Sequence, residues 1–421
     1  MRTFHLNAVL AALLIAGSAI AQTAAPAPAG AASAPAKPSV RSDLAKQLLD
    51  AQSLSNDKKY AQAKEKIQAA SAFADKSPHE NYLIALLTFN IAVGEDDGPV
   101  ANKQLEQVLA LNETGKWAKQ SDILAWLQNA GVVSYRSKDY ANSALWMERN
   151  IKEGGTSQSV KNVRIQSHLL TNNYARVTEL AEEEIALAKA EKRPPAQSHL
   201  EMLAQAKAQV KDTPGGTRAV ELLVTHYPKK EYWQSLLNRM WNRSDLATAL
   251  QLDLFRLTVY TNVLQDENDF IEYAKLAQGG GYSAEALAVF DKGVAAGVLG
   301  TADNMETHKK LHAKLIAEAE QDRKTSAADI ANALKKPNGQ AMLNLGFSLV
   351  GQQQFDKGIE LMEKGIAKGL PKRPDDARLR LGIAYAMAGQ TEKAQQTLAT
   401  VSGKEGLDEL ARYWTLALRK P

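Results

Sequence analysis

The chain nearly repeats itself toward its C-terminal end. LNLGFSLVGQQQFDKGIELMEKGI (Leu343 to Ile366) is followed by LRLGIAYAMAGQTEKAQQTLATV (Leu379 to Val401), and Leu345, Gly346, Leu349, Gly358 and Met362 are matched 36 residues later by Leu381, Gly382, Tyr385, Ala394 and Leu398. Apolar residues recur at helical steps on both sides of a polar break, so each copy reads as two short amphipathic helices. A small residue on the first helix (Gly346, Gly382) is set against a small one on the second (Gly358, Ala394), which lets two backbones approach while larger neighbours fill the flanks. Such a unit cannot bury its apolar face alone, so neighbouring units must stack.

Weaker copies extend the pattern upstream. Leu48 to Ala70 places Ala51, Leu54, Tyr60, Ala63 and Ile67 in the same register, and Leu127 to Ile151 does so with Ala130, Val133, Tyr140, Ser143 and Met147. Tyr273 to Val294 uses Ala274, Ala277, Ala286, Phe290 and Gly293, and Tyr174 follows Tyr140 by 34 residues. About seven helical hairpins at this period cover most of Ser42 to Lys420. The two C-terminal copies resemble the tetratricopeptide repeat (TPR) family. The expectation is therefore an all-α protein, an α-solenoid of stacked helical hairpins, with Gly406 to Arg419 as a final capping helix. Turn-forming residues divide it into TPR-like repeats over 42–193, irregular helical repeats over 194–336, and further TPR repeats with the cap over 337–421. No alternating run suggests a sheet.

The N-terminus implies export. Arg2, the apolar run Ala8 to Ala16, and the small residues Ala19 and Ala21 have the form of a secretory signal over 1–21, with cleavage expected before Gln22. The run is too short to span a bilayer, which takes about 20 residues. Residues 22–41 follow as an Ala/Pro-rich linker with too little apolar surface to order. There is no cysteine, so disulfides, thiolate metal sites and a lipid-modified N-terminal cysteine are excluded. An exported helical protein of this size without disulfides fits the periplasm of a Gram-negative bacterium. The net charge is +4, or +3 once Arg2 leaves with the signal, too weak for nucleic acid to be a partner.

No pattern carries catalysis or a cofactor. His308 and His312 share a helical face, but Lys309 stands where zinc peptidases carry a glutamate, so the pair reads as a solvated face. Glu182 to Glu184 precede Lys189, Lys192 and Arg193 along one helix and suit its dipole. Gly215-Gly216 and Gly279 to Gly281 lack the Lys-Ser/Thr of a phosphate loop and read as turns. In His226 to Arg243, the residues Tyr232, Trp233, Met240 and Trp241 could form a binding shelf with Lys229, Lys230, Arg239 and Arg243 as steering charges. The same spacing also suits a helix that buries Trp233, Leu236, Leu237, Met240 and Trp241 in the core.

In TPR proteins the inner face is lined mainly by the first helix of each hairpin. The resemblance places Leu343, Phe347, Leu379 and Ile383 in that peptide groove, with Arg380 beside them. An apolar groove with basic neighbours suits an amphipathic or extended peptide. The sequence thus points to an exported scaffold or adaptor that binds a protein or peptide in the cell envelope, without catalysis, metal or cofactor. A binder of cell-wall glycan or peptide fragments, resting on the aromatic stretch, is the alternative.

Overall fold

The computed structural model describes residues 39–301, 304–370 and 373–419. The expected signal segment and nearly all of the linker lie outside them. The chain divides into two compact units, Met1–Leu187 and Ala188–Pro421. Unit 1 contains α1 (Ser42–Asn56), α2 (Tyr60–Ser71), α3 (Pro78–Gly94), α4 (Gly98–Gly115), α5 (Gln120–Arg136), α6 (Tyr140–Lys152), α7 (Gln158–Leu170) and most of α8 (Tyr174–Ala190). Unit 2 opens with α9 (Gln197–Gln209), α10 (Thr213–His226), α11 (Lys230–Trp241), a 3-10 turn (Thr248–Leu250) and α12 (Gln251–Tyr260). It continues with α13 (Glu267–Gly279), α14 (Ser283–Ala295), α15 (Met305–Lys335), α16 (Gln340–Gly351) and α17 (Phe355–Lys368), and closes with α18 (Pro374–Met387), α19 (Thr391–Leu398) and α20 (Leu407–Ala417). Among the described residues there is no strand, and no helix is long and apolar enough to cross a membrane. The fold is an α-solenoid of stacked helical hairpins.

One turn joins the two helices of every hairpin. The residue two places before the second helix is left-handed in all eight cases: Lys58, Asp96, Lys138, Asn172, Lys211, Gly281, Gln353 and Gly389, with φ between 58° and 77°. The next residue donates its backbone N–H to the carbonyl five residues back, as in Asp97 to Ala92, Asp139 to Ser134 and Gln354 to Leu349, at 2.8 to 2.9 Å. This satisfies a carbonyl that the first helix would leave unpaired and reverses the chain at once. Asp97, Asp139 and Asp212 then cap the second helix by accepting from the N–H three residues on.

In unit 1 the first helices also touch one another, α1 on α3, α3 on α5 and α5 on α7, more closely than α2, α4 and α6 do. The stack therefore bends with its first helices inside. In unit 2 the residues on both sides of position 336 share one hydrophobic core, running from Val220 to Leu418. Helix α20 covers α18 and α19, as a cap would, but also packs on α10 and α12.

The small-residue contact between α16 and α17 is as close as the sequence implies. A Cβ on Gly346 would lie 2.6 Å from the carbonyl oxygen of Gly358, and one on Gly358 would lie 2.6 Å from that of Gly346. Gly339 and Gly365 make a second such approach about two turns along, which the sequence did not flag. Alanine in a helix interior normally gains about 0.5–1 kcal/mol over glycine, whereas overpacking a closed site costs about 1–3 kcal/mol. Gly358→Ala should therefore lower the thermal midpoint, while Gly279→Ala, where nothing lies within 4 Å of the added atom, should leave it unchanged or raise it. Paired melts of the two variants check the sign.

Helix α3 starts with a capping box: Glu80 N–H donates to Ser77 Oγ at 3.1 Å, and Ser77 N–H donates to Glu80 Oε2 at 2.8 Å. Arg41 adds its Nε and Nη2 to the same carboxylate at 2.9 and 3.0 Å, and these bonds hold Glu80 at a pKa of about 2. The neighbouring His79 is buried against Tyr82 and Trp117, and neither ring nitrogen has a hydrogen-bond partner. Burial pushes its pKa below the ordinary 6.5. The folded state then holds His79 neutral while the unfolded chain takes up a proton, so this contribution is complete above pH 6.5 and is lost as pH falls below it. Glu80 loses its contribution only below 4.5, toward 2. Urea unfolding of the full chain should show a midpoint that declines from pH 6.5 to 5, and His79→Phe should flatten that part of the curve.

Candidate interaction surfaces

The register set by the hairpin turns compares the inner positions of the two units directly. Eight residues before the second helix stand Gln52, Asn90, Val132 and Gln166 in unit 1, and Phe347 and Ile383 in two hairpins of unit 2. One turn earlier stand Gln128 on α5, Leu343 on α16 and Leu379 on α18. The residue types diverge, and so do their surroundings.

In unit 2 the four apolar positions expected to line a peptide groove are closed. Leu343 is 2% exposed, and Phe347, Leu379 and Ile383 are 0% exposed. Helix α12 lies over Phe347. Arg256 projects from it over the ring of Phe347 at 4.1 Å and that of Tyr282 at 4.9 Å. Its Nε and Nη2 donate to the two oxygens of Glu285, each at 2.8 Å, and its Nη1 donates to Asp253. Tyr273 donates its hydroxyl to Glu285 at 2.7 Å, and Arg380 donates to the other oxygen of Asp253 at 3.3 Å. The network joins α12, α13, α14 and α18. Its two arginines balance its two carboxylates, which makes burial of four charges tolerable. Burial alone would lower the pKa of Arg256, but Glu285 and Asp253 outweigh it and hold the group well above its usual value.

The groove expected from the sequence is thus corrected: its four apolar positions are buried in the core of unit 2, with α12 lying over Phe347, and Arg380 serves Asp253. Asp253 and Arg256 lie three apart inside the apolar run LDLFRL, and charges at apolar positions were the available signal for this buried pair.

Among the described residues of unit 1 the inner positions carry no such charged network. Gln52, Asn90 and Gln128 are half-buried and Gln166 is exposed. Among the described residues none of these four side chains has a hydrogen-bond partner, so each keeps an amide donor and acceptor free. The recurrence at Gln52, Asn90 and Gln166 becomes visible only when counted back from the turns, because the second helices begin at unequal intervals, at Tyr60, Gly98, Tyr140 and Tyr174.

Other candidates resolve into structure. His312 turns to Asp291 at 2.7 Å, whereas His308 accepts from the Gly300 N–H at 3.0 Å, so the two rings serve different partners. Gly215 and Gly216 are buried in the first turn of α10, and Gly281 is the left-handed residue of a hairpin. Trp233 is buried, and Trp241 packs on Phe255 with centroids 4.7 Å apart. Of the aromatic shelf, Trp233 and Met240 are core, while Tyr232 and Trp241 pack half-buried against it. Arg239 of the same helix and Arg243 just after it do line a cleft.

Replacing Arg256 by alanine would leave Asp253 and Glu285 buried with one cation between them. Breaking a buried pair in this way costs about 3–5 kcal/mol. Arg256→Ala should lower the stability of the full chain by that order in urea titration, and Glu285→Gln should cost less because it removes a charge on the opposite side.

No protein-family model and no curated protein matches the sequence. Among solved structures the chain is similar to the TPR domain of P58(IPK), at 13% identity and TM-score 0.23, covering 90% of this chain and 97% of that one. It is similar to the structure of Naa15/Naa10 bound to HypK-THB, at 14% identity and TM-score 0.21, covering 89% and 65%. It is also similar to yeast Tom70, at 11% identity and TM-score 0.20, covering 89% and 95%.

Proposed function

We propose that this chain is an exported scaffold of the cell envelope that holds a protein partner as an extended segment along the first helices of unit 1, and that it performs no catalysis. The observation that carries this reading is the row of unpaired amides at Gln52, Asn90, Gln128 and Gln166. An extended polypeptide presents alternating N–H and C=O groups, and an amide side chain can answer both. The N-terminal signal pattern supports a location outside the cytoplasm.

Each hydrogen bond to such a segment contributes about 0.5–1.5 kcal/mol net. Removing three at once, in Gln52→Ala/Asn90→Ala/Gln166→Ala, should weaken partner binding by roughly a hundredfold. The test is site-specific photo-crosslinking in intact cells, with the reactive group at Gln128 on α5 or at Lys103, which is exposed on α4. A discrete periplasmic protein adduct from Gln128, absent at Lys103 and lost in the triple variant, is expected. No adduct from position 128, or equal adducts from both sites, would refute the reading.

A further inference from the structure

Unit 2 carries cations that the α12 network does not use. Helix α11 buries Trp233, Leu236, Leu237 and Met240, while Arg239 and Arg243 enter a cleft of about 790 Å³ beside α10 and α20. Arg218, Lys404 and Arg412 line the same cleft. Most of its acids are already committed. Arg243 pairs with Asp245 at 2.8 Å and with Glu409, Arg412 pairs with Glu221 at 2.9 Å, and Glu405 pairs with Arg373 at 3.5 Å. Five cations and five carboxylates line the cleft, and among the described residues these pairs leave Arg218, Arg239, Lys404 and Asp408 without an ion pair; Asp408 occupies the first turn of α20, where the helix dipole favours it.

Arg239 is the distinctive member. It is half-buried, its Nη1 lies 3.2 Å from where a side chain on Gly216 would begin, and no carboxylate pairs with it. Among the described residues every other buried or half-buried arginine has an ion pair, from Arg149 and Arg164 in unit 1 to Arg256 and Arg378 in unit 2. Thr213, Ser235, Asn238 and Ser244 surround it with hydroxyls and an amide. A guanidinium partly withdrawn from water without a counter-ion costs free energy that a bound carboxylate would recover through a forked pair of hydrogen bonds. The remaining acids disfavour a dense polyanion.

We propose that this cleft is the docking site for an acidic segment of the protein partner, with a carboxylate on Arg239 and further acids reaching Arg218 and Lys404. The assignment rests on the scaffold reading and adds a second, charge-selective contact to it.

The test is fluorescence anisotropy of a labelled decapeptide of alternating glutamate and serine, titrated with the full chain at low salt. Saturable binding is expected, weakened at least about tenfold by Arg239→Ala and Arg239→Gln, and unchanged by Lys310→Ala on the exposed face of α15. Thermal melts verify that both Arg239 variants remain folded, as expected for a side chain without an ion pair. Three results would each overturn the assignment: no saturable binding by the wild-type chain, equal affinity in the Arg239 variants, or complete displacement of the peptide by inorganic phosphate at matched concentration. The last would mark a small-oxyanion site instead. A crosslink from Gln128 that persists while the peptide fails to bind removes the cleft and leaves the scaffold standing.

Discussion

Everything in this structure depends on reversing the chain within three residues. A helix ends with unpaired carbonyls, and a second helix cannot lie back along it unless those groups are satisfied in the turn. The left-handed residue and the bond that follows it do this eight times, from Lys58 to Gly389. Six of those residues are not glycine, and each tolerates a conformation that costs an L-residue roughly 1–2 kcal/mol. The return is that both helices start in a fixed register, so that small residues such as Gly346 and Gly358 meet. Backbone contact at that distance depends on the turn as much as on the glycines.

A common register gives the inner positions a common geometry and leaves their chemistry free. Phe347 and Ile383 are apolar there and are buried in the core of unit 2, and over Phe347 the cover is α12. The cover carries Arg256, whose guanidinium can lie on aromatic rings while its edges serve two carboxylates. Gln52, Asn90 and Gln166 occupy the equivalent place in unit 1 and need no cover, since water satisfies an exposed amide. An apolar inner face is therefore filled by its own chain, and a polar one is left accessible.

The hairpin architecture was legible in the sequence because its strongest determinants are local. Apolar steps of three and four, and the spacing of Gly346 from Gly358, survive in any single copy. The groove was not legible, because Leu343, Phe347, Leu379 and Ile383 are buried in a core assembled from distant parts of unit 2, as where Arg256, some 90 residues earlier, lies over Phe347. Turn signals based on glycine found Gly281 and overlooked Gly389, as well as Lys58, Lys138, Lys211 and Gln353, which adopt a similar φ without any compositional mark. The aromatic stretch held two readings that the sequence could not separate. Burial of Trp233 decided for the core, yet the arginines between the aromatic positions were outward-facing all along, since a helix that buries one side must expose the other.

The two proposed contacts differ in what they could recognise. Amides that answer backbone groups hold any extended chain with little regard for its side chains, so selectivity along unit 1 would be low. Arg239 works the other way: a lone half-buried cation rewards a carboxylate and penalises a neutral or basic residue, because only the former ends its isolation. A scaffold of this composition would draw affinity from one surface and discrimination from the other. The division follows from the physical difference between a dipole that can pair with either sense of the main chain and a charge that accepts one sign.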